Sequence, residues 1–137
     1  MVQDLLTHLG GGIMKRMILY VVLGLSISVL GSGLALADKS SAAIEAPQTA
    51  SKGSDVTIRV TVTHSANTAL HYTEWLKVMV NKKEVARWDF TSNNRPEAAV
   101  FTRELKVKAS EDLEVVTEAS CNNHGSKGPA TAKISVN

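Results

Sequence analysis

The stretch Asp55-Val56-Thr57-Ile58-Arg59-Val60-Thr61-Val62-Thr63 decides the fold class. Val56, Ile58, Val60 and Val62 alternate with Thr57, Arg59, Thr61 and Thr63, a period of two that puts the apolar side chains on one face of a strand and the polar ones on the other. β-Branched residues dominate it, as suits a half-buried pleated surface.

Downstream the same pattern recurs. Glu74 to Val80 carries Leu76, Val78 and Val80 on one face, and Glu84 to Phe90 carries Ala86, Trp88 and Phe90, with Asn81-Lys82-Lys83 as a short hairpin connection. Glu97 to Val107, Leu113 to Ser120 and Ala130 to Val136 add three more strands, and no stretch argues for a long helix. Short strands separated by Gly, Pro, Asn and Ser turns predict an all-β, immunoglobulin-like antiparallel β-sandwich.

Upstream the pattern stops. Ser51-Lys52-Gly53-Ser54 reads as a turn, preceded by a small polar tail from Asp38. Before that, Met14-Lys15-Arg16-Met17 is basic, Ile18 to Leu30 is apolar, and Ala35-Leu36-Ala37 is a small-x-small terminus, the three parts of a secretory signal peptide. The apolar run is shorter than the roughly 20 residues that span a bilayer. We therefore expect cleavage after Ala37, a periplasmic mature protein and no membrane association after cleavage. The expected organisation is 1–37 signal peptide, with 1–13 a spurious upstream extension, 38–54 an N-terminal segment, and 55–137 the functional sandwich.

Taking Lys15, Arg16 and Asp4 from the 15 basic and 13 acidic residues leaves 13 and 12. That near-neutral balance gives no reason to expect nucleic acid. The mature domain has the sequence's single cysteine and so forms no internal disulfide. A lone thiol in an oxidising compartment is a liability unless it is buried, paired with another chain or held as a metal thiolate.

Of the four histidines, His8 leaves with the leader, and His64, His71 and His124 lie with Cys121 in two loops. If every connection reverses direction, the loops His64–Thr73 and Cys121–Gly128 share one end of the sandwich. In Cys121-Asn122-Asn123-His124-Gly125 a thiolate and an imidazole three residues apart can reach one ion across a turn that Asn and Gly accommodate. Donor chemistry leaves zinc, copper and iron open, although Met79, a candidate axial sulfur for copper, lies mid-strand.

His71-Tyr72-Thr73-Glu74-Trp75-Leu76, Val80-Asn81-Lys82-Lys83 and Cys121-Asn122-Asn123-His124-Gly125, in that order, resemble the superoxide reductase (neelaredoxin/desulfoferrodoxin) iron-binding domain. The resemblance covers about residues 43 to 128. It implies one mononuclear non-haem iron per chain, equatorial histidines, an axial cysteine and an open sixth position. His64, His71, His124 and Cys121 would be ligands. The implied activity is reduction of superoxide to hydrogen peroxide, with electrons from an external donor protein. The alternative is a non-catalytic iron module of the same fold, serving electron transfer, sensing or metal delivery. Oligomeric state is left open, a homo-oligomer included.

Departures accompany it. The family's first histidine lies in an E-K-H-x-P motif. Setting Pro47 on that proline puts Glu45 at the histidine, Ile44 at the lysine and Ala43 at the glutamate. Glu45 is thus the candidate fifth ligand, with its segment an edge strand ending at the histidine rim, and Lys127 or Lys52 the substitute for the lost lysine. Ser65 stands where the family has proline, with one extra residue between His64 and His71.

Overall fold

The computed structural model describes residues 38–137, and the expected signal peptide lies outside them. The described chain forms eight strands: β1 Ser41–Glu45, β2 Thr49–Ala50, β3 Asp55–Thr63, β4 Thr73–Val80, β5 Lys83–Asp89, β6 Val100–Lys108, β7 Leu113–Cys121 and β8 Ala130–Val136. No helix among the described residues is long and apolar enough to cross a membrane.

Strands β1-β3-β6 form one sheet and β2-β8-β7-β4-β5 the other, the two-layer arrangement expected from the alternating pattern. Val56, Ile58, Val60 and Val62 of β3 turn inward against Leu76 and Val78 of β4, Val115 and Ala119 of β7 and Ile134 of β8. Removing such a side chain from water stabilises the fold by about 1.5–3 kcal/mol each, so this interior holds the layers together.

The strands pair antiparallel except β2 and β8, which are parallel with Thr49 opposite Ser135, and outside the strands Ser40 makes an isolated parallel bridge to Ser126. The chain reaches β2 by leaving the first sheet after Glu45 and entering the second at Thr49. Pro47 sits in that crossing, where its missing N–H deprives no ladder of a donor.

Two features shape the rim at which β3 and β7 end. β1 runs antiparallel to β3, with Ser41 opposite Thr63 and Glu45 opposite Arg59, so β1 begins at the end where β3 finishes and then runs away from it. And β4 carries an extra residue against β7, Thr73 facing Cys121 while Trp75 faces Ser120. That bulge re-aims the start of β4 beside the last residue of β7.

Candidate metal centre

His64 follows β3 directly, and its N–H donates to the Ala99 carbonyl at 3.0 Å, which ties it to the start of β6. The residue is 5% exposed. Nδ1 lies 2.7 Å from the Ala66 carbonyl and Nε2 3.2 Å from that of Asp38. A neutral imidazole has one N–H, and the shorter contact favours placing it on Nδ1, leaving an Nε2 lone pair.

His71 is held by a small closed turn. Thr68 donates its N–H to the His71 carbonyl at 2.8 Å, and the His71 N–H returns to the Thr68 carbonyl at 3.2 Å. Leu70, at the tip, is 82% exposed.

Cys121 ends β7 with 2% of its surface exposed. Its N–H donates to Gly125 O at 2.9 Å and the Gly125 N–H returns to Cys121 O at 3.1 Å, closing the loop that carries His124. Gly125 has φ 79°, a left-handed conformation that glycine adopts without steric cost. The Asn123 N–H points at Cys121 Sγ at 3.4 Å, a contact that would temper the charge of a thiolate.

Asn122 joins the two loops. Its Oδ1 accepts the Tyr72 N–H at 2.9 Å and its Nδ2 donates to the Leu70 carbonyl at 3.1 Å. Asn123 Nδ2 reaches the same carbonyl at 2.8 Å. One donor atom from each of His64, His71 and Cys121 consequently lies within 4.8 Å of the other two. Donors on opposite sides of one ion at about 2.0–2.3 Å would be roughly 4.4 Å apart, so the trio fits a single metal. His124 Nδ1 adjoins the trio, 3.3 Å from His71 Nε2.

Glu45, the fifth expected ligand, is not among them. It is exposed, opposite Arg59, four residues along β1 from the histidine end, or roughly 13 Å at about 3.3 Å per residue. The expectation failed because an antiparallel β1 presents its beginning, not its end, to the rim. Lys52 is remote too, in the turn before β3.

At the rim in its place is the strap Asp38-Lys39-Ser40. Ser40 is fully buried. Its N–H donates to Gly125 O at 3.2 Å, its carbonyl accepts from the Lys127 N–H at 2.9 Å, and its Oγ lies 2.7 Å from Thr73 Oγ1. The sequence reading missed this strap, although its acid-lysine order was a usable signal.

A family model for desulfoferrodoxin matches residues 33–126. The chain belongs to the desulfoferrodoxin family. A Thermotoga maritima protein assigned as a superoxide reductase is 26% identical at a TM-score of 0.60, over 71% of this chain and 86% of that one. The superoxide reductase (neelaredoxin) from Ignicoccus hospitalis has the same fold, with 24% identity and a TM-score of 0.60, over 78% of this chain and 89% of that one. Fibronectin(III)-like modules from Clostridium thermocellum share the sandwich at a TM-score of 0.51 and 19% identity, over 72% of this chain and 46% of that one. No curated protein matches the sequence.

Desulfoferrodoxins are iron proteins, and a thiolate with imidazoles is a donor set that iron accepts. The rim of this desulfoferrodoxin-family sandwich therefore suits an iron redox module.

Proposed function

We propose that this protein is an exported superoxide reductase, with His64, His71, His124 and Cys121 holding one iron per chain. The observation that carries the reading is the convergence of the buried Cys121 sulfur with His64 and His71, donors from separate segments, within 4.8 Å. The leader reading adds cleavage after Ala37 and a periplasmic location.

In the reaction, superoxide takes one electron and two protons to become hydrogen peroxide. The bound metal supplies the one-electron couple, refilled by an external donor. Cys121 would hold the metal through its sulfur, whose charge the Asn123 N–H 3.4 Å away would moderate. Ala66 holds the His64 ring through Nδ1, fixing the tautomer that leaves Nε2 to bind. We read Asp38-Lys39-Ser40 as the counterpart of the family's Glu-Lys-His, so that the exposed Lys39 ammonium draws the anion towards the rim.

That register leaves serine where the family has its first histidine, and this favours a second reading, an iron module for electron transfer without catalysis. Rapid mixing of the reduced, iron-loaded protein with superoxide separates the two. Fast oxidation with peroxide release is expected, and a ferrous centre that persists would refute the enzymatic reading. A sulfur-to-iron absorption band, lost in Cys121→Ser, is expected of the oxidised protein.

A further inference from the structure

Export cleavage after Ala37 would do more than release the chain, because it would create a free α-amine at Asp38, whose carbonyl oxygen is 3.2 Å from His64 Nε2. With the ring N–H placed on Nδ1 towards Ala66, that carbonyl and the Nε2 lone pair are two acceptors in contact, an arrangement that a cation held by both, off the line joining them, would relieve. Two neighbouring ligands on one ion, each about 2.1 Å from it, are separated by about 3 Å, close to the spacing observed.

We infer that the α-amino nitrogen of Asp38 is a metal ligand, created by signal cleavage, that supplies the nitrogen Ser40 does not. The inference rests on the proposed iron site and on cleavage after Ala37. The nitrogen and carbonyl oxygen of one residue are joined through Cα and C, so both can hold one ion in a five-membered chelate ring. Two residues on, Ser40 anchors the strap through Gly125, Lys127 and Thr73, which holds Asp38 at the rim.

Processing matters because of the chemistry of the nitrogen. In the precursor it belongs to a peptide bond whose resonance removes its lone pair from use. After cleavage it is an amine, and on binding the ammonium releases its proton to solvent. The donor set is completed only in the processed chain, so full metal affinity follows export.

The test starts from the full-length precursor exported by a bacterial host, with the mature N-terminus read by mass spectrometry. Asp38 is expected first, and any other residue overturns the inference. Cobalt(II), a spectroscopic stand-in for ferrous iron, is then titrated against a competing chelator into three mature proteins: the native one, one with a glycine inserted between Ala37 and Asp38, and that extended chain after an aminopeptidase has removed its glycine. The glycine extension should bind at least about 10-fold more weakly with a shifted cobalt ligand-field spectrum, and removal of the glycine should restore the native affinity and spectrum. Equal affinity and spectra for the extended chain overturn the inference and leave the iron site intact. A loss that persists after the glycine is removed assigns the effect to something other than the position of the α-amine and also overturns it. Absence of a Cys121-dependent sulfur-to-cobalt band in the native protein removes the metal site itself, and the inference with it.

Discussion

The antiparallel pair β4 and β7 is closed at its two ends by the same device, yet only one end gathers metal donors. At the end of β4, Asn81 Oδ1 accepts the Glu114 N–H at 2.8 Å and Nδ2 donates to Asp112 O at 3.1 Å, just before and within β7. At the end of β7, Asn122 does the same to Tyr72 and Leu70, just before β4. Around Asn81 the chain makes a tight turn in which Asn81 and Lys82 both have positive φ, 48° and 68°. Around Asn122 it opens into loops carrying His71, Cys121 and His124. An asparagine clamp is thus neutral as to function, and the side chains it brings together decide what the end can do.

If that is right, the two clamps should fail differently. Asn122→Ala should lower metal affinity about 10- to 100-fold, as loss of a group that orients ligands does, besides losing about 1–2 kcal/mol of stability in urea denaturation. Asn81→Ala should lose a similar amount of stability at unchanged metal affinity. Equal effects of both variants on affinity would break the comparison. A smaller change sharpens it: Lys82→Gly relieves a left-handed residue in a two-residue turn and should raise stability by up to about 1 kcal/mol without touching the rim.

The smallest contrast is in acid. Near the histidine rim, Arg103 grips Glu97 through two contacts of 2.8 and 2.9 Å and, with a backbone hydrogen bond, holds its carboxyl down from 4.5 to about 2. At the far end Lys108, 2.7 Å from Asp55, also lowers that carboxyl. A lowered folded value means that the stabilisation is present above the unfolded value and disappears as pH falls through the folded one, for Glu97 between 4.5 and about 2. Both carboxylates are exposed, so the effects are small. Stability against pH should fall less steeply in that window in Glu97→Gln, and Asp55→Asn should show a weaker version.

Much of the architecture was legible before any coordinates. The β3 range 55–63 is the alternating stretch itself, and the other expected strands agree in kind and order because each buries one face against the same interior. Strand parity also brought the His64 and Cys121 loops to one end. The placement of Glu45 at the rim departed from that rule, because a strand antiparallel to β3 runs away from the end where β3 finishes and brings Ser41, not Glu45, to it. The Ser40 strap was invisible for a different reason: serine carries no pattern, and its burial depends on Gly125, Lys127 and Thr73, all distant in sequence.

The sequence alone determined a two-sheet sandwich, through periodicity, and a shortlist of sulfur and imidazole donors, through the rarity of cysteine and histidine. Both are local properties, readable residue by residue. Only the tertiary structure decided that Glu45 lies away from the rim and that the Asp38 carbonyl lies beside His64. That choice turns on whether Ser41 or Glu45 faces Thr63, and strand direction is set by which pairing satisfies the backbone and packs Ala42 and Ile44 against the core.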